Sequence, residues 1–243
     1  MELNGRVALV TGAGHRVGRA IALALGGRGM RVAVHYNASE AGARETVRLL
    51  GESGAEGRAF GADLTRAEAA GELIAAVTGA FGALDVLVNS AAVMVRTPFG
   101  EVTAQQWHAI MSLNLRAPFF LAQAAAPHLE KARGVIVNIA DLAAFETWPA
   151  YLPHSISKSG VVTLTRALAQ VLAPEVRVAA VAPGTVLLPE GWSEEAAEHL
   201  RATTPLERNG GPKDVTDTVL FILDSDYLTG ETIIVDGGRH VRK

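Results

Sequence analysis

Four side chains that can move a proton or hold a charge fall in one short stretch, D-L-A-A-F-E-T-W-P-A-Y-L-P-H-S-I-S-K, as Asp141, Tyr151, His154 and Lys158. A carboxylate, a phenol, an imidazole and an ammonium together could protonate a substrate and steady the charge that develops on it. His154 and Lys158 are four residues apart, which on a helix places them on one face about 6 Å apart along the axis. Tyr151 lies three residues before His154, on the incoming turn.

These side chains need elements to position them. The apolar run Val135-Ile136-Val137-Asn138-Ile139 before them reads as a buried strand, and Val161 to Leu172 after them reads as an amphipathic helix. Pro153 sits where the first helical turn would begin, which suits its fixed φ and missing N–H. Asp141 then lies at the carboxyl end of a strand, where ligands bind in open α/β sheets. The competing reading is four surface polar residues around a loop.

The start of the chain supplies a ligand site for the same sheet edge. Val7 to Val10 reads as a buried strand, followed by Gly12-Ala13-Gly14-His15-Arg16-Val17-Gly18 and a helix carrying Ala20, Ile21, Ala22, Leu23 and Leu25. Glycines let the backbone approach a pyrophosphate, and the helix N-terminus offers unpaired N–H groups. Gly12, His15, Arg16, Val17 and Gly18 are the expected contacts of a dinucleotide. The second strand, Arg31 to Tyr36, ends in His35, Tyr36, Asn37, Ala38 and Ser39. A carboxylate there would select NAD by bonding the ribose 2′-hydroxyl. Its absence tolerates a 2′-phosphate, to which Asn37 and Ser39 can donate while Arg16 and His15 add charge, so NADP(H) is the expected cofactor. Ser39 could instead be a plain N-cap for the helix Glu40 to Leu50.

Ala59 to Leu64 reads as the third strand and its exit. Asp63 could accept from an adenine amino group, cap the helix Ala67 to Thr78, or do both. Leu84 to Asn89 is the fourth strand, and the small residues after Asn89, from Ser90 and Ala91 onward, let a cofactor lie close. Asn114 falls between the helical runs Gln105 to Met111 and Ala117 to Leu129, where an amide can hold a water or a backbone kink. Val176 to Val181 is a sixth strand ending in Pro183-Gly184-Thr185-Val186. The irregular excursion at 187–204, with a helical piece around Glu194 to Arg201, is placed where a substrate lid usually lies. A helix from Pro212 to Leu223 and a strand, Thr232 to Val235, close the chain.

Composition bounds the rest. At 243 residues and 49% hydrophobic the chain fits one large α/β domain. A net charge of −3 offers no electrostatic case for nucleic acid or an anionic membrane. There are no cysteines, so disulfides and thiolate chemistry are excluded, and no metal site is expected. The N-terminus fits no signal peptide and no apolar segment is long enough to cross a bilayer, so the expected location is cytoplasmic. Strands alternating with helices throughout imply a single doubly wound domain over 1–243, with about seven parallel strands covered on both faces.

With these residues in hand, the chain resembles the short-chain dehydrogenase/reductase family over essentially its whole length. The resemblance rests on Thr11-Gly12 with Gly18, Asp63-Leu64, Asn89-Ser90-Ala91, Asn114, Lys158, Pro183-Gly184 and Val235-Asp236-Gly237-Gly238. It implies cofactor contacts from Leu64, Asn89, Ser90, Ala91, Lys158, Pro183, Gly184 and Val186, and catalytic roles for Asn114, Asp141, His154 and Lys158. Most members carry glycine at the position of Arg16, serine at that of Asp141 and the catalytic tyrosine at that of His154. Arg16, Asp141, Tyr151 and His35-Tyr36 are similar to the pteridine reductase branch, which uses NADPH. The resemblance therefore adds Arg16, Met94, Asp141 and Tyr151 as substrate contacts. That branch places an aromatic residue near Met94 to stack on the pterin, and here the position offers only Met94.

In such enzymes the tyrosine protonates the substrate while nicotinamide delivers hydride, and the lysine binds the nicotinamide ribose. Imidazolium is a competent acid, with a reference pKa of about 6.5. Asp141 would stabilise imidazolium and Lys158 would oppose it. Direct donation by His154, donation through a water, and substitution by Tyr151 all stay open. So do two functions: an NADPH-dependent reductase of a carbonyl or of the C=N bond of a pterin-like heterocycle, and a weakly catalytic NADP-binding protein that senses or assembles. The resemblance also implies a homotetramer paired through the helices Ala117 to Leu129 and Val161 to Leu172.

Overall fold

The computed structural model describes residues 1–186 and 193–241. Seven strands form one sheet: β1 (Val7–Val10), β2 (Arg31–Tyr36), β3 (Gly57–Gly61), β4 (Val86–Asn89), β5 (Val135–Ile139), β6 (Arg177–Pro183) and β7 (Thr232–Val235). Their spatial order is β3-β2-β1-β4-β5-β6-β7, and every neighbouring pair is parallel. This is the doubly wound order, with its reversal between β1 and β4. Parallel pairing puts all seven carboxyl ends on one edge, so the residues after β1, β2, β4, β5 and β6 must share a crevice.

The central strands are apolar on both faces because helices cover both. Ala8, Val10, Val32, Val34, Val86 and Val88 pack against α1 (Arg16–Gly26), α2 (Glu40–Glu52) and α8 (Pro212–Asp224). Val7, Leu9, Ala33, Leu87 and Ile136 face α3 (Ala69–Phe81) and α5 (Ala117–Ala132). In α8 the buried Val215, Val219, Ile222 and Leu223 fall at the spacing of one helical stripe. The remaining helices are α4 (Ala104–Met111), α6 (Leu152–Val171) and α7 (Glu194–Ala202). No helix of the described residues is long and apolar enough to cross a membrane.

The structure differs from the sequence reading at several boundaries. The edge strand β3 begins at Gly57, opposite Val32, and is largely exposed, so its residues carry little apolar signal. Helix α3 begins at Ala69, and Asp63 does not cap it. Its Oδ1 instead accepts from the backbone N and the hydroxyl of Thr65, closing a local turn. Helix α6 starts at Leu152 with Pro153 in its first turn, where the proline placed it; the apolar run from Val161 marks only its later part, because the first turns bury polar residues. Of the excursion expected at 187–204, residues 187–192 lie outside the described residues, and α7 takes up the later part.

One buried polar chain ties α6 to the sheet. Asn89 at the end of β4 donates to Asn138 Oδ1 of β5 (2.8 Å), and Asn138 Nδ2 donates to the Thr165 hydroxyl of α6 (2.9 Å). Asn138→Ala strands the Asn89 amide in a dry interior, and a loss of roughly 1–3 kcal/mol in urea unfolding is expected. Adding Asn89→Ala should cost less than the sum of the two single changes, because the stranded donor goes with it.

Candidate active site

The glycine turn leaves β1 with Gly12 at φ +66°, a left-handed conformation in which the backbone comes close to Ala91. A Cβ at Gly18 would stand 2.3 Å from the Gly12 carbonyl oxygen, so α1 can start against the turn only with glycine there. The α1 N-terminus is open. Its cap residue, His15, makes no side-chain capping bond, and no acidic residue lies in the first turn. The helix start brings backbone N–H groups and the positive dipole end to the turn, the chemistry a pyrophosphate needs. Arg16 takes φ +49°, where an L-residue is strained by about 1–3 kcal/mol. Thr11 Oγ1 accepts from the backbone N of Ser90 (2.9 Å) and Ala91 (3.0 Å), which clamps the β4 exit to the turn.

His35 supports this turn from beneath. It is buried, its Nδ1 accepts from Gly12 N (3.1 Å), and its Nε2 faces the Ala62 carbonyl at 3.0 Å. The pattern requires the neutral ring with its proton on Nε2. Burial pushes its pKa down to about 4, with the bond to Ala62 opposing. His35 thus acts as a brace between β2, the glycine turn and the β3 exit.

Helix α6 presents His154, Lys158, Val161 and Thr165 as one buried stripe, at spacings of four, three and four. Each polar member has a partner below it. Thr165 meets Asn138, and Lys158 Nζ donates to the Ile139 carbonyl at the end of β5 (2.7 Å). His154 Nδ1 lies 3.2 Å from the Val93 carbonyl. Burial lowers the Lys158 pKa, and the Asp141 charge works against that. Asp141 Oδ1 accepts from Ala143 N (2.8 Å), capping a short 3-10 turn, while its Oδ2 stands 3.5 Å from His154 Nε2.

Asn114 lies in a single π-type turn, Ser112–Arg116, that joins α4 to α5. The wider turn brings its amide inward, and both ends of it bind Val93: Oδ1 accepts from Val93 N (2.8 Å) and Nδ2 donates to Val93 O (2.9 Å). The expected kink is therefore present, and it holds the segment after β4 under His154.

One cleft of about 690 Å³ runs along the carboxyl edge of the sheet. It gathers Gly12, His15, Arg16, Val17 and Gly18 from the glycine turn, and His35, Tyr36, Asn37 and Ser39 from the β2 exit. Leu64, Ser90, Ala91 and Met94 line it from the β3 and β4 exits, and Pro183, Gly184 and Val186 from the β6 exit. Asp141, Tyr151, His154 and Lys158 border its far part. Three expected residues stand off the wall. Asp63 turns to Thr65, Asn89 turns to Asn138, and Asn114 lies behind His154 holding Val93. The Ser39 hydroxyl does not cap α2.

The sequence reading passed over several wall residues. Trp148 sits three before Tyr151, and their rings meet edge to face with centroids 6.2 Å apart. That spacing within the reactive stretch was a usable signal. Glu146 lies on the wall beside them. Leu200 of α7 lies within the excursion expected as a lid, whereas Arg239, after β7, reaches the cleft only because the chain folds back, and nothing local in the sequence marks it.

The comparisons with known proteins agree with this arrangement. The family described as Enoyl-(Acyl carrier protein) reductase matches residues 12–240. The chain is 34% identical to 3beta-hydroxysteroid dehydrogenase 1 of Eggerthella lenta, over 98% of this chain and 94% of that protein. It is also 34% identical to the 3-oxoacyl-acyl-carrier-protein reductase FabG of Staphylococcus aureus, over 96% of this chain and 98% of that one. Among solved structures, a putative short-chain alcohol dehydrogenase from Sinorhizobium meliloti superposes with a TM-score of 0.94 at 34% identity, covering 100% of this chain and 99% of that chain. The chain belongs to the short-chain dehydrogenase/reductase family and is an oxidoreductase of that type.

The His35 brace has a pH signature. Its folded pKa of about 4 lies below the reference value of about 6.5. Between these values the unfolded chain holds a proton that the folded chain does not. Its contribution, on the order of 3 kcal/mol, is therefore full above about pH 6.5 and is lost as pH falls toward 4. His35→Gln should flatten the dependence of unfolding free energy on pH across that window. An unchanged slope would show that His35 does not titrate there.

Proposed function

We propose that this protein is an NADPH-dependent reductase acting on a carbonyl or on the C=N bond of a pterin-like heterocycle. The observation that carries the reading is the unbroken cleft from the open α1 N-terminus to Asp141, His154 and Lys158. It supports a dinucleotide laid with its pyrophosphate on the glycine turn and its nicotinamide end at the buried lysine. When bound, that cofactor supplies hydride. Lys158, anchored on the Ile139 carbonyl, holds the ribose; Ser90, Ala91, Pro183, Gly184 and Val186 line the path between. The β2 exit offers Tyr36, Asn37 and Ser39 and no carboxylate, which favours a 2′-phosphate over a free 2′-hydroxyl.

His154 stands where most members of the family carry tyrosine, and Asp141 where most carry serine. The likeness of Arg16, Asp141 and Tyr151 to the pteridine reductase branch supports a planar heterocyclic substrate. So do Trp148 and Tyr151, whose rings, with Met94 from the β4 exit, give the far part of the cleft flat apolar surfaces. A second reading, cofactor binding with little turnover, is favoured by one observation: His154 Nε2 is shut off from solvent and makes no hydrogen bond.

One further proposal accompanies this reading. Phe119 and Phe120 of α5 and Ile156 of α6 are exposed apolar residues, consistent with a homotetramer paired through these helices.

Titration by calorimetry should show NADPH binding more tightly than NADH, and equal affinities would remove the case for a 2′-phosphate. Gly18→Ala should abolish binding of both cofactors, because its methyl group meets the Gly12 carbonyl. Assay of the purified protein with NADPH against a panel of ketones and oxidised pterins separates the two functions: turnover supports the reductase, and cofactor binding without turnover supports the binding protein. Sedimentation at micromolar concentration should give a tetramer; a monomer would refute that assembly.

A further inference from the structure

The hydrogen bonds behind His154 determine where its protons lie. Asn114 is fixed in orientation because its Oδ1 accepts from Val93 N. Its Nδ2 has two hydrogens, one on Val93 O (2.9 Å) and one on the Ser157 hydroxyl (3.1 Å), which itself donates to the His154 carbonyl (2.7 Å). No hydrogen remains for His154 Nδ1, 3.4 Å from that amide nitrogen. Nδ1 must then carry the proton and donate it to Val93 O at 3.2 Å. With Nδ1 occupied, Nε2 of the neutral ring is a bare acceptor.

Nε2 is buried, makes no hydrogen bond, and stands 3.5 Å from Asp141 Oδ2. A lone pair facing a carboxylate oxygen in a dry site is unfavourable, and one proton between them satisfies both. The two groups differ in access. The Asp141 side chain is 25% exposed and that of His154 only 2%. Although the ring borders the cleft, its Nε2 does not open into it. Asp141 is held for this position, since its Oδ1 is engaged by Ala143 N and its Oδ2 faces the ring. Other titratable or charged groups around the pair are Lys158, one helical turn along α6, and Glu146, Tyr151 and Arg16 on the cleft wall.

We propose that Asp141 and His154 share one proton, and that Asp141 is the catalytic residue that hands it to the substrate, with His154 a positioning residue that stores it from behind. The chemical half of this rests on the reductase reading; the shared proton does not. As hydride from the reduced nicotinamide forms the new C–H bond, the C=O or C=N π pair moves to the heteroatom. That atom takes the one shared proton, which leaves Nε2 for Asp141 Oδ2 and passes from Oδ2 to the substrate. The pair ends one proton poorer, as a neutral imidazole beside a carboxylate, and regains that proton from water at the exposed edge of Asp141. The substrate gains two electrons and two hydrogens, and the nicotinamide is oxidised.

Two measurements on the full chain decide this. In the cofactor-free protein labelled with ¹⁵N-histidine, His154 should show a protonated Nδ1 and an exchange-protected Nε2–H resonance that Asp141→Asn removes or moves upfield. A resonance indifferent to Asp141→Asn, or a neutral ring protonated on Nε2, overturns the shared proton. In turnover with NADPH, Asp141→Asn should lower kcat on the order of 10²–10⁴-fold with little change in KM. His154→Gln should lose less, and its pH–rate profile should differ from the parent's, because the proton store behind Asp141 is gone. If Asp141→Asn keeps the parental kcat while His154→Gln loses it, His154 is the donor and the assignment fails. A parent that reduces no substrate overturns the reductase reading and the donor role together, while the resonance still decides whether the pair shares a proton.

Discussion

The site depends on the two-point bond between the Asn114 amide and the Val93 backbone. The Asn114 amide is buried, so each of its polar atoms left unpaired would cost about 1–3 kcal/mol. The bond requires the π-type turn at Ser112–Arg116, since a regular helix would direct the amide elsewhere. It turns the Val93 carbonyl toward His154 Nδ1, and thereby sets which ring nitrogen is left to face Asp141. A local departure from α-helical geometry thus determines the protonation pattern of a side chain forty residues away in sequence.

The sheet supplies the frame on which this works. Because all seven strands are parallel, the exits of β1, β2, β4, β5 and β6 meet along one edge, and the glycine turn and the reactive group lie at two ends of one cleft. Buried polar contacts hold α6 in register with that edge. Thr165 meets Asn138 in mid-strand, Lys158 meets the Ile139 carbonyl at the strand end, and His154 meets Val93 beyond β4. The stripe of α6 that faces the sheet is therefore polar where a core helix would be apolar. Hydrogen bonds thus help to place the helix, and Lys158, buried and anchored on the Ile139 carbonyl, is held at the wall of the cleft, with burial lowering its pKa.

His35 shows how a plausible ligand contact can be a brace. A histidine at the end of the second strand reads as a polar group for the adenosine end, and it does border the cleft. Both of its nitrogens are already used by Gly12 and Ala62, and burial keeps the ring neutral. It shapes the glycine turn from below. Asn89 and Asp63 are similar: each sits at a strand exit, and each spends its side chain on a neighbour in the chain's own framework.

Much of this was legible in the linear chain. Apolar runs alternating with amphipathic ones required a parallel, doubly covered sheet, since only helices on both faces can shield strands such as Val7–Val10 and Val135–Ile139. Glycine spacing marked the turn before α1, and the four-residue interval between His154 and Lys158 marked a shared helical face. These signals are local: they depend on period, on backbone freedom and on side-chain type. What only the tertiary structure decided is non-local. Arg239, from after β7, lines the cleft, and Asn114 works from behind the site. The orientation of the His154–Asp141 pair, one member buried and the other open to the cleft, arises from which carbonyl lies beneath an imidazole, and no spacing along a sequence encodes that.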